Sequence, residues 1–194
     1  MKRIVTYAAC LALVVGVPLL GYAQSSTRDD RKATTSKLSM SDQRFVKNAA
    51  QGNKAEVELG RLASERGSSD TVKQLGQKMV ADHGKANDEL AQLAQHKCVM
   101  LPTGLDAKHK RLYDRLAKLS GDQFDREWVK DMARDHDKDV KAFQKEAQKA
   151  KDPDVKGWAA KTLPVIQQHQ QQVHDAMASV GGAASASPGS KRAK

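Results

Sequence analysis

Four metal-capable side chains, Glu56, His83, His136 and His169, each interrupt an otherwise apolar helical stripe of this 194-residue chain. Three imidazoles and one carboxylate suit a transition ion, and the set as it stands admits zinc, iron, copper or manganese. Two of the histidines belong to an internal echo. Met79-Val80-Ala81-Asp82-His83 and Met132-Ala133-Arg134-Asp135-His136 share the pattern M-x-x-D-H, with His83 and His136 separated by 53 residues. On a helix the Met and His of each copy stack on one face, while the Asp is rotated about 100° and points toward a neighbouring helix. Asp82 and Asp135 are therefore the expected outer partners that hold a histidine tautomer. A second reading stays open beside this one: neutral, hydrogen-bonded core histidines whose polar layer fixes helix register and binds nothing. A di-iron carboxylate centre fits badly, because it needs Glu three residues before His on two helices, and those positions hold Val80, Ala133 and Ile166.

The remaining candidates are weaker. His174 is five residues from His169 and turns to another face, and His96 and His109, near helix ends or in a connection, read as solvated. Cys98 beside Met100 reads as a small hydrophobe in preference to a soft copper ligand. Without a glycine-rich phosphate loop or a nucleophile elbow, nothing supports nucleotide binding or a hydrolase triad. No catalytic residue is assigned, and the reading leans away from an enzyme; a mononuclear metal centre is the one chemistry that would support catalysis.

These side chains need helices to position them. Phe45, Ala49, Gly52, Glu56, Leu59 and Ala63 recur at the spacing of one helix face, with Ser41 as the expected cap. Arg66-Gly67-Ser68-Ser69 breaks that pattern, and Val72, Leu75, Met79, His83, Ala86, Leu90 and Leu93 form the second face, capped by Ser69. Residues 99–120 read as a crossover with a short helix through Leu112, Leu116 and Leu119. The third face runs Phe124, Trp128, Met132, His136, Val140, Phe143 and Ala147. Asp152-Pro153 pairs a cap acceptor with proline at the first helical position. It opens the fourth face, Val155, Trp158, Thr162, Ile166, His169, Val173 and Met177, which Pro164 should kink. Two antiparallel helix pairs joined by a long helix-containing crossover imply an all-α, ferritin-like four-helix bundle. Counted about the turn that joins their helices, His136 and His169 match to roughly 3 Å, whereas Glu56 and His83 are offset by nearly 7 Å at about 1.5 Å per residue. Glu56 is thus the member least well in register.

The ends of the chain read differently from its middle. Lys2-Arg3, an apolar run from Ile4 to Val17, and Gly21-Tyr22-Ala23 have the form of a secretory signal peptide over residues 1–23. Cys10 sits too early in the apolar run to be an acylated lipoprotein cysteine, and cleavage would leave Cys98 without a disulfide partner. Residues 24–40 then read as a flexible linker, 41–178 as the bundle domain and 179–194 as a disordered basic tail ending Lys191-Arg192-Ala193-Lys194. The expected location is the periplasm or cell envelope. A net charge of +10 favours an anionic partner, and after export that means envelope lipid or polysaccharide and no nucleic acid. This gives a second functional reading beside metal binding, a structural or stress-related envelope protein that uses its basic surface.

Taken in order, Phe45, Ala49-Ala50-Gln51-Gly52, Glu56-Val57-Glu58-Leu59-Gly60, Met79 to His83, Leu101-Pro102, Phe124-Asp125, Met132 with His136, and Leu163-Pro164 with His169 resemble a bacterial family, domain of unknown function forty-one forty-two. The resemblance covers about residues 41 to 178. It implies a ferritin-like fold and an outer-membrane or periplasmic location, and it carries no activity and no role for the four matching polar positions.

Overall fold

The computed structural model describes residues 37–183, which form five helices: α1 (Met40–Arg66), α2 (Asp70–His96), α3 (Ala107–Leu116), α4 (Gly121–Lys149) and α5 (Pro153–Ala183). There is no strand among the described residues, so the chain is an all-α helical bundle. The signal segment 1–23, most of the expected linker and the end of the basic tail lie outside the described residues.

Four of the five helices begin where a side chain satisfies the first N–H groups, and Ser120 ahead of α4 makes no such bond. The Ser39 hydroxyl, two residues ahead of the expected Ser41, accepts from Asp42 N at 3.2 Å, and Ser69 does the same for Val72 N. Leu38 is buried and its carbonyl accepts from Gln43 Nε2 at 3.0 Å, so folded structure reaches into the stretch expected to be linker. At the other end, α5 continues past residue 178 to Ala183, and it runs unbroken through Pro164. Asp106 caps α3, and Asp152 caps α5 by accepting from Asp154 N and Val155 N. Gly121 opens α4 at φ +59°, a left-handed conformation that costs glycine little.

Two hairpins make the body. Helices α1 and α2 approach most closely at Gly60 and Gly76, where a Cβ on Gly60 would lie 2.6 Å from the Gly76 carbonyl oxygen. Each hairpin turn is held by a buried aspartate of the other hairpin. Asp125 of α4 accepts from Ser68 N (2.9 Å) and Ser69 N (2.8 Å), and Asp42 of α1 accepts from Asp152 N (3.0 Å). The connection 97–120 straps α3 across the seam between α1 and α4, where Arg115 pairs with Glu127 and Asp131.

The apolar stripes do not merge into one core. Phe45, Val46, Leu90, Phe143, Trp158 and Ile166 centre one cluster, with Phe45 and Phe143 rings 5.1 Å apart edge to face. Leu59, Met79, Phe124, Trp128, Met132 and Val173 centre the other, and Trp128 Nε1 donates to the Leu59 carbonyl at 3.0 Å. Along every long helix the polar residue in question falls between the two clusters. The bundle therefore has a buried polar layer at its waist.

Candidate metal centre

His83 from α2, His136 from α4 and His169 from α5 meet in that layer with ring centroids 5.2–5.7 Å apart. One nitrogen of each lies within 4.8 Å of the others. The rings are 4%, 0% and 0% exposed, and that degree of burial makes the state of each nitrogen decisive.

Each ring is locked by one acceptor. The Nδ1–H of His83 donates to Asn53 Oδ1 at 3.0 Å, and that of His136 to its own helix at the Met132 carbonyl, also 3.0 Å. His169 is held the other way round, its Nε2–H donating to Asp82 Oδ2 at 2.8 Å. A neutral imidazole that donates from one nitrogen carries a lone pair on the other. The other nitrogens, His83 Nε2, His136 Nε2 and His169 Nδ1, are buried with no hydrogen-bond partner. Three orphaned lone pairs in one buried layer form an acceptor-only site, the arrangement that a cation satisfies and an added apolar group does not.

Electrostatics keep those lone pairs free. Burial, then the neighbouring imidazoles, push His83 well below the usual histidine range, burial lowers His136 to about 4, and burial also lowers His169. Burial tends to raise Asp82, but hydrogen bonds from Lys78 and His169 outweigh it and hold that carboxyl below the usual range.

The sequence-predicted residues divide. The three histidines are brought together, and Asp82 reaches across from α2 to orient His169. Glu56 stands outside the group: its Oε1 is 3.9 Å from His136 Nδ1, the edge of the ring that faces the Met132 carbonyl. Both Glu56 oxygens are buried without a partner, and burial, followed by the charges of Asp135 and Asp139, pushes its carboxyl well above the ordinary value. Asp135 faces Lys108 and Lys138, each at 3.7 Å, and orients no histidine; the two lysines offer it a cation that the buried ring does not. Asn53 was missed. Its signal was available in the register, since Asn53 and His83 each lie 15 residues from Ser68 at the centre of the first turn, whereas Glu56 lies 12 away.

Two further expectations need correction. His109 is 7% exposed, packed in the crossover with its Nδ1 3.0 Å from Asp106 Oδ1, and is not solvated. Cys98 is exposed and sits at φ +53°, so it ends α2 and does not pack as a small hydrophobe. Met100 beside it is 87% exposed. His174, as expected, lies away from the cluster: it is half-exposed and its Nε2–H donates to Asp137 Oδ1 at 2.9 Å.

The model of the family described as Domain of unknown function (DUF4142) matches residues 27–176. The chain belongs to that family. Among solved structures, the chain is similar to a DUF305 fragment from Deinococcus radiodurans, with a TM-score of 0.64 and 15% identity over 74% of this chain and 99% of that one. That likeness is one of fold. No curated protein matches. None of the described helices is long and apolar enough to cross a membrane.

Proposed function

We propose that this DUF4142 protein is an exported, envelope-facing bundle of ferritin-like four-helix arrangement that binds one transition-metal ion through His83, His136 and His169. The observation that carries the reading is the set of three tautomers, each fixed by a separate acceptor so that an unpartnered lone pair is left in the same buried layer. Ligand nitrogens around a tetrahedral ion with metal–nitrogen bonds of about 2.1 Å sit roughly 3.4 Å apart, and one nitrogen of each ring already lies within 4.8 Å of the others. With Glu56 outside the group the donor set is all imidazole. This favours zinc, copper or iron over manganese, which leans on oxygen. Burial of the rings gives a substrate no approach, which supports binding over catalysis. The basic start, apolar run and small-residue end of residues 1–23 support export.

Metal added to the metal-free protein at about 100 times its Kd should add roughly 2.7 kcal/mol and raise Tm by about 5–10 °C. Asn53→Ala keeps all three ligands and frees only the His83 ring; it should weaken zinc or copper binding about 10- to 100-fold in a competition titration. A Tm unmoved by every metal tried, with Asn53→Ala merely less stable, would leave the layer a structural one.

A further inference from the structure

Glu56 is 1% exposed, hydrogen-bonded to nothing and 3.9 Å from His136, on the side of the cluster that faces α1 and α4. It does not stand alone. One turn earlier on α1, Gly52 has no side chain, and Asp139 Oδ2 of α4 comes within 3.9 Å of where its Cβ would be. One turn before Asp139 on α4, the Asp135 side chain is 16% exposed and faces Lys108 of α3 and Lys138 at 3.7 Å. The Lys108 side chain is 60% exposed. The α1–α4 side of the cluster thus gathers a lysine pair, Asp135, Asp139 and Glu56 beside the histidines. Burial, with the charge of Asp135 added, holds Asp139 up at about 7, as expected of carboxyl groups crowded together without enough cations.

The opposite side of the cluster differs. Between α2 and α5, a cavity of about 110 Å³ is lined by Asp82, Lys85, Glu89 and Lys161. There the Asp82 carboxylate is taken by His169 and Lys78, and Glu89 is bridged by Lys161 at 2.8 Å. Both faces carry lysines, but on this one the carboxylates are already paired, whereas across the cluster Asp139 and Glu56 have no lysine or arginine within 4 Å among the described residues.

We propose that Asp135, Asp139 and Glu56 form the route by which a divalent cation reaches the three-histidine cluster, with Lys108 of the crossover at its outer end. The inference rests on the metal-binding reading above. Acidic groups gathered beside a site concentrate counter-ions and raise association rates by about 10- to 1,000-fold. A route acts on both directions of traffic. Its charges also attract the bound ion, so removing one slows association most and weakens affinity with it.

The test is stopped-flow uptake of cobalt(II) by the metal-free full chain at low ionic strength, followed by its ligand-field absorption, with release measured by chelator competition. Asp135→Asn and Asp139→Asn should each slow uptake by about tenfold with release changed much less, and Lys108→Ala should speed uptake. Glu89→Gln, on the other face, should change neither. Unchanged rates in the two aspartate variants, slowing confined to Glu89→Gln, or a loss of affinity with uptake rate intact would each overturn the route while leaving the cluster a metal site. A wild-type chain that takes up no cobalt would overturn both.

Discussion

An imidazole sealed between apolar clusters resists protonation, and here that resistance has a definite sign. His136 falls from 6.5 to about 4, so between those values the unfolded chain binds a proton that the folded chain refuses. Its contribution is present above pH 6.5 and is lost as pH falls toward 4, an effect of about 3 kcal/mol at about 1.4 kcal/mol per unit. Asp139 runs the other way. Its folded-state value rises from 3.8 to about 7, so its contribution is present below 3.8 and is lost as pH climbs to 7. Urea unfolding from pH 4 to 7.5 should therefore show opposite trends for two variants. The destabilisation caused by His136→Asn should shrink as pH falls below 6.5, and Asp139→Asn should gain on wild type as pH rises from 4 to 7. Parallel curves would mean that neither group is held as described. At this scale the sequence was a good guide to residue type and depth, since helical period alone puts His83, His136 and His169 inward. It was a poor guide to pairing. Whether Asp82 or Asp135 orients a ring depends on what lies across the helix interface, His169 in one case and two lysines in the other.

Helix boundaries were readable because capping chemistry is local: Ser69 and Asp152-Pro153 mark the starts of α2 and α5 as expected. Ser41 yielded to Ser39, since Leu38 is buried by tertiary packing and carries the helix start upstream with it. The close contact of α1 with α2 left a fainter trace, two helical glycines, Gly60 and Gly76, which only the folded pair explains. A Cβ on Gly76 would lie 2.5 Å from the Gly60 carbonyl oxygen and 2.8 Å from Ala63 Cβ, and neither neighbour can rotate away. Gly76→Ala should therefore cost about 1–3 kcal/mol through forced separation of the helices. Gly84→Ala, with nothing within 4 Å of the new methyl, should gain up to about 1 kcal/mol from helix propensity. Chemical denaturation of the two variants checks the contrast, and equal effects would contradict the close approach.

At the scale of the fold, the described residues form two hairpins that answer each other. Asp42 and Asp125 hold the opposite turns, and Asn53 and His136 sit at matching depths; both pairs are 83 residues apart. The M-x-x-D-H echo, at 53, relates helices that do not correspond in this way, which is why its aspartates part company. Two helix pairs and a crossover were legible in the sequence because four amphipathic stripes with short turns leave few ways to pack. The waist was less so, since a buried polar layer looks the same in sequence whether it binds an ion or only fixes register. What separates those cases is metal content. Elemental analysis of the protein purified from its own cells without chelator or affinity tag, beside a variant with His83, His136 and His169 changed to alanine, addresses this most directly. The account predicts one zinc, copper or iron per chain in the wild type and none in the variant. Metal absent from both, or present equally in both, would contradict it.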